Sequence, residues 1–154
     1  MNLVDELHRV AAALADAEVV YAVCGGIAVT IHGATRTTKD IDLLVRPEDV
    51  EGIVELVRPL GYRFAALPMT FDEDSDRPRR VQRISKVEGD EHLVLDLLLA
   101  DDELADCLSE RRRVALPEGP LWVVSRECLL KMKRAAGRPQ DLADIERLEA
   151  DDAS

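Results

Sequence analysis

Aromatic residues are scarce in this 154-residue chain: one Trp, two Tyr and two Phe, 3% in all. A core built from this composition has to rest on Leu, Val, Ile and Ala, and there are too few rings for a platform that stacks bases. Positive charge is also short. Twenty Lys and Arg stand against 31 Asp and Glu, a net charge of −11. Binding nucleic acid by bulk electrostatics needs a basic surface and is excluded. Only a local patch could do it. The two candidates are Arg77, Arg79, Arg80, Arg83 and Lys86, and the triplet Arg111, Arg112 and Arg113. Both are read first as solvated faces. Cysteine is sparse: Cys24, Cys107 and Cys128 form an odd set without metal-ligand spacing. They are expected reduced, in a packing role, in a cytoplasmic protein. No apolar run approaches the roughly 18 residues that span a bilayer, and no leader pattern opens the chain, so neither membrane insertion nor export is expected.

What is present is hydrophobic patterning on the scale of one domain, expected over residues 1–150, with 151–154 as a frayed tail. Leu3, Val4, Leu7, Val10, Ala11 and Leu14 recur at helical spacing behind the cap candidate Asn2. "EVVYAVC" reads as a buried strand, "GGIAVTIHG" as a short helix and "DIDLLVR" as a second strand. A helix follows from Pro47 to Gly61, then the strand "YRFAAL" and a polar loop over 68–78. "RRVQRISKV" and "HLVLDLLLA" flank the turn "EGDE" as a hairpin. A short helix over 101–110 and two short strands around "EGP" come next. Two helices close the chain over 125–150, one capped by Ser125 and ended by Gly137, the other opened by Pro139. The order predicts an α/β (α+β) fold, a mixed sheet covered by helices with a C-terminal helical pair.

Three aspartates draw attention. Side chains alternate across a strand, so Asp40 and Asp42 share one face while Ile41, Leu43 and Val45 share the other. Two neighbouring carboxylates repel, and a divalent cation removes the conflict. Asp96 sits inside the most apolar strand of the chain and needs a partner. Either Arg80 or Arg83 across the hairpin supplies it, or Asp96 joins Asp40 and Asp42 at a metal. Gly25-Gly26 marks either a plain tight turn or a place where backbone closely approaches a phosphate. Arg36 and Lys39 precede the carboxylate strand and can offset triphosphate charge. Lys133 can reach a phosphate as a point charge. Asp141 and Asp144, at i and i+3, either orient Lys133 or the base and ribose, or pair with Arg134 or Arg138. His32 is read as structural, and His8 and His92 carry no signal.

With these residues the chain resembles the nucleotidyltransferase superfamily of the DNA polymerase β-like fold. A Gly-Gly turn, a short helix, the strand Asp40-Ile41-Asp42 and a third Asp on a neighbouring strand carry the likeness. "RTTKDIDLLV" looks most like the toxin-like AbiEii and MenT branch. "LLKMKRAAGRPQDLADIERL" matches a C-terminal pattern of that branch at Lys133, Gly137, Arg138, Asp141 and Asp144. The likeness covers residues 20–148. Gly26 stands where many relatives have Ser, Gln140 where they have Lys or Arg, and the large acceptor-binding helical domain of many relatives has no counterpart. The resemblance implies transfer of a nucleoside monophosphate from a nucleoside triphosphate to an acceptor hydroxyl. Asp40, Asp42 and Asp96 would be catalytic and would bind Mg²⁺ or Mn²⁺. Gly25, Gly26, Arg36, Lys39, Lys133, Asp141 and Asp144 would bind substrate. The implied acceptor is RNA, above all a tRNA 3′ end, and the implied partner is a cognate antitoxin or toxin. Two other readings stay open: a non-catalytic nucleotide-binding or antitoxin-like partner protein, and an antibiotic-modifying nucleotidyltransferase.

Overall fold

The structure is a computed structural model that describes residues 1–34, 37–71 and 79–152. Its elements are α1 (Leu3–Asp16), β1 (Tyr21–Cys24), α2 (Gly25–Ile31), β2 (Asp40–Val45), α3 (Val50–Val57), β3 (Tyr62–Ala65), β4 (Met69–Phe71), β5 (Arg79–Glu88), β6 (Glu91–Leu99), α4 (Glu103–Ser109), β7 (Arg112–Leu116), β8 (Gly119–Val123), α5 (Arg126–Ala136) and α6 (Pro139–Asp152). All eight strands join one sheet in the order β3-β5-β6-β2-β1-β8-β7, with β4 also paired to β5. The pairs β2–β6 and β1–β8 are parallel and the rest antiparallel. The mixed α/β architecture expected from the order of elements is therefore the one observed.

The two faces of the sheet have different jobs. On one, Ile41, Leu43, Leu95, Leu97 and Ile84 are fully buried. Helix α1 closes this side with Leu7, Val10 and Leu14, spaced to share one stripe. Each such side chain contributes about 1.5–3 kcal/mol through burial. Asn2 caps α1, its Oδ1 accepting from the Asp5 N–H at 3.1 Å. The other face carries α2, α5 and α6, and on it β2 presents Asp40 and Asp42.

Several expectations need correction. Lys86 is not on a solvated face: only 3% of it is exposed, and its Nζ donates to Glu6 Oε1 at 2.8 Å. Tyr62 donates to the other Glu6 oxygen at 2.8 Å. Lys86 alternates onto the core face of β5, where its long stem packs and its charge meets α1. Cys107 and Cys128 are disulfide-bonded, joining α4 to the first turn of α5, whereas Cys24 is a free, buried thiol as expected. The expected loop over 68–78 begins with strand β4, and its remaining residues, Arg77 among them, lie outside the described ones. The segment from Pro47 to Gly61 is not one helix. A 3₁₀ turn at Pro47–Asp49 precedes α3, and a second at Arg58–Leu60, with Pro at its start, ends it. Helix α6 takes in the first two residues of the expected tail. Among the described residues no helix is long and apolar enough to cross a membrane.

Candidate active site

Cross-strand register builds the site. Cys24 of β1 lies opposite Asp42 of β2, Asp42 opposite Asp96 of β6, and Asp96 opposite Arg83 of β5. These four side chains form one row across the sheet, on the face away from α1. The next row, Ile41–Leu95–Ile84, points the opposite way into the core. Asp40 stands two residues from Asp42, on the same face. A cavity of about 530 Å³ opens over this row. Asp40, Asp42 and Asp96 line it from the sheet, Gly25 and Gly26 from the start of α2, Lys39 from the preceding loop, and Lys133 and Asp141 from α5 and α6.

Gly25 is required by Asp42. Its φ is +66°, and a Cβ there would meet Asp42 Oδ2 at 2.1 Å and Cγ at 2.7 Å. The chain turns from β1 into α2 directly against this carboxylate, a position open only to a residue without a side chain.

Asp96 is bound by Arg83. Nε donates to Oδ1 at 2.8 Å and Nη2 to Oδ2 at 2.9 Å, a two-pronged fork. The Asp96 hydrogen bond raises the Arg83 pKa despite desolvation, with further help from the charges of Asp96, Asp40 and Asp42. Arg80, the other candidate partner, instead forks Asp101, at 2.8 Å on both prongs. Arg79 also lines the cavity and donates to the Met132 carbonyl of α5.

Lys133 is buried between two carboxylates, 3.3 Å from Asp141 Oδ1 and 3.1 Å from Asp144 Oδ2. Arg138 donates to Asp141 from its backbone N–H at 3.2 Å and from Nε at 2.7 Å, and Arg147 Nη1 reaches Asp144 Oδ1 at 3.4 Å. Burial pushes the Asp141 carboxyl up, but the Arg138 hydrogen bond and the Lys133 charge outweigh it and hold it below the usual range. Asp144 is completely buried and sits behind Lys133, outside the cavity lining. It fixes the lysine rather than touching the cavity. Burial, and the Asp42 charge next, push the Cys24 thiol well up, which keeps it protonated. His32 bonds the Val124 carbonyl oxygen at 2.9 Å, a structural contact as read from the sequence.

Of the sequence candidates, Arg36 falls outside the described residues. The others gather at or directly behind one cavity. The donor set, carboxylates sharing one face and one wall, fits a hard divalent cation that prefers oxygen. Among the described residues, however, no three His, Cys, Asp or Glu side chains converge as a ready-made ligand group. Asp96 is turned onto Arg83 instead. The sequence leaves Arg83 as one of two possible partners of Asp96 and offers Arg138 only as a pattern match and a possible partner of Asp141; both line the cavity, as does Arg79. The Arg83 signal was available. Counting outward from the Gly89–Asp90 turn pairs Glu88 with Glu91 and brings Arg83 opposite Asp96.

The fold defined by this sheet and its helices is that of the nucleotidyltransferases. A candidate nucleotidyltransferase of Thermotoga maritima superposes with a TM-score of 0.66 at 14% identity, over 96% of this chain and 92% of that one. The antibiotic-resistance factor ANT(2″)-Ia, solved with adenylyl-2″-tobramycin, superposes with a TM-score of 0.57 at 20% identity, over 96% and 87%. JHP933 of Helicobacter pylori gives a TM-score of 0.52 at 19% identity, over 92% and 62%. The chain belongs to a family described as uncharacterised nucleotidyltransferases, which matches residues 1–132. It has no match among curated proteins.

Proposed function

We propose that this nucleotidyltransferase moves a nucleoside monophosphate from a nucleoside triphosphate to an acceptor hydroxyl by two-metal chemistry. The observation that carries the reading is the row that sets Asp42 beside Asp96, with Asp40 on the same face, under a cavity faced by Gly25, Gly26 and Lys133. Asp40, Asp42 and Asp96 are the residues that would hold Mg²⁺ or Mn²⁺, which bound there neutralises charge on the triphosphate and on the acceptor oxygen. Lys133, with Lys39 and Arg36, balances the triphosphate. Asp141 contacts the substrate from the cavity wall, and Asp144 keeps Lys133 in place. The glycines let backbone approach the phosphates. The acceptor oxygen attacks the α-phosphorus in line, its proton passes toward Asp96, and the bond to the pyrophosphate leaving group breaks. Positioning and charge do the work, with no covalent enzyme intermediate.

The acceptor has two readings. The toxin-like resemblance favours an RNA 3′ end, that of tRNA first, in a cytoplasmic toxin–antitoxin pair of the AbiEii and MenT type. Arg79 and Arg83 at the cavity support it. A small cationic acceptor is favoured by the net charge of −11 and by the dispersal of the basic strip: Arg80 is engaged by Asp101, and Lys86 is buried. One experiment decides. The protein is incubated with Mg²⁺ or Mn²⁺, each α-labelled triphosphate in turn, and total RNA, cell protein or small-molecule acceptors. Label is expected in RNA or a small molecule only with the divalent cation, and is expected to vanish in Asp42→Asn. Transfer that persists in excess chelator, or in Asp42→Asn, would remove the carboxylates from the reaction. Transfer to RNA that does not fall with added salt would discard a role for the basic residues in the acceptor path.

A further inference from the structure

We infer that Arg83 is the resident counter-cation of the carboxylate row. It holds Asp96 until a divalent cation displaces it, and the freed guanidinium then engages phosphate oxygens of the nucleotide. The inference rests on the proposed reading of the three aspartates and gives Arg83 a part at the metal and the nucleotide, distinct from the acceptor path.

The fork on Asp96 occupies both carboxylate oxygens. A cation brought to those oxygens sits against a guanidinium of like sign, so each ligand weakens the other's hold, and by the same factor in both directions. A second ion pair on the same strand shows what a fixed structural pair looks like here. Lys86 and Glu6 bury both partners, with side chains 3% and 8% exposed. The Arg83–Asp96 pair is lopsided: the acid is 10% exposed and the arginine side chain 42%. Arg83 therefore reaches a buried acid from the open side of the cavity and can swing away without emptying core space. Three other cations around the cavity have partners of their own. Lys133 lies between Asp141 and Asp144, Arg138 is on Asp141, and Arg79 is on the Met132 carbonyl. Arg83 forks one of the three candidate metal ligands, and its charge also faces Asp40 and Asp42. A guanidinium released into a cavity that takes a triphosphate has a natural second partner, since its planar fork matches phosphate as well as carboxylate.

The test uses Mn²⁺ alone, with no nucleotide, and reads free Mn²⁺ by electron paramagnetic resonance. Arg83→Gln is expected to bind Mn²⁺ about tenfold more tightly than the wild type, within the usual range of coupled-site effects. Arg83→Lys, which keeps charge but loses the fork, is expected between the two and serves if the glutamine variant folds poorly. Arg80→Gln, which breaks only the pair with Asp101, is expected to leave Mn²⁺ affinity unchanged. With Mn²⁺ saturating, Arg83→Gln is expected to bind a non-hydrolysable nucleoside triphosphate about tenfold more weakly, and these opposite signs are what a purely structural pair cannot produce. Equal or weaker Mn²⁺ binding by both Arg83 variants would overturn the inference while leaving the metal site standing. Absence of Mn²⁺ binding from wild type and variants alike would sink the carboxylate-site reading itself.

Discussion

Gly25→Ala is the sharpest test of how the site is built. The new methyl group would lie 2.1 Å from Asp42 Oδ2 and 2.8 Å from Asp42 Cβ. Ordinary contact is more than an ångström longer for the oxygen, so the carboxylate has to retreat by roughly 1 Å, a displacement able to cost about 100-fold in rate. Rotation of the side chain alone does not relieve the contact with Cβ, so β2 has to shift as well. A left-handed backbone costs an alanine about 1–2 kcal/mol, and forcing atoms into filled space costs about 1–3 kcal/mol more. Together these predict a loss of about 2–5 kcal/mol, read by circular dichroism as a fall in Tm on the order of 10 °C. Gly52→Ala is the control. Gly52 lies in α3, and a Cβ there meets nothing within 4 Å. It should stabilise the protein by about 0.5–1 kcal/mol and leave label transfer unchanged. Gly25→Ala with wild-type Tm and transfer would show that Asp42 does not sit against this turn, and the geometry argued for the site would fall with it.

Lys133→Met should abolish transfer and cost about 3–5 kcal/mol, because it leaves Asp141 and Asp144 buried without their lysine. Lys131→Met, on the exposed side of α5, should do neither, and equal effects would reduce the C-terminal pattern to helix packing. For Glu6, burial raises the pKa, but hydrogen bonds from Lys86 and Tyr62 outweigh it and leave it below the ordinary value. Its contribution to stability is therefore complete above the unfolded-state pKa and is lost as pH falls through the folded-state one. Urea midpoints should drop on acidification in the wild type and less so in Glu6→Gln. A parallel fall in both would assign the acid sensitivity elsewhere. Thiol titration of denatured, unreduced protein should find one thiol, Cys24, and reduction should raise the count to three. Three thiols before reduction would show Cys107 and Cys128 to be unpaired.

Strand alternation alone placed Asp40 and Asp42 on one face, because the period of a strand is a property of the backbone and needs no knowledge of neighbours. The apolar run around Asp96 showed that this carboxylate needed a partner, yet not which one, since the choice between Arg80 and Arg83 depends on hairpin register. The basic strip was misread for the same reason. Lys86 and Arg83 are three residues apart in sequence, but one points into the core and the other into the cavity. The pairing of Cys107 with Cys128 depends on α4 meeting the first turn of α5 in the fold, and nothing in an odd count of three cysteines signals it. The second role of Gly25 was equally invisible, because it depends on where Asp42 comes to rest rather than on the turn.

The row Cys24–Asp42–Asp96–Arg83 has a consequence for folding fidelity. Asp96 is flanked by Leu95 and Leu97, both fully buried on the opposite face. A slip of β6 by one residue against β2 would exchange those faces, sending the carboxylate into the core and the leucines into the cavity. The hydrophobic pattern that stabilises the sheet therefore proofreads the placement of the carboxylates, and a chain that has folded at all has its aspartates aligned. The same coupling makes catalysis vulnerable at a distance. Shortening Leu95 or Leu97 narrows the energy gap between correct and slipped pairings, so it erodes the fraction of molecules with an intact site without altering a single residue that faces the nucleotide.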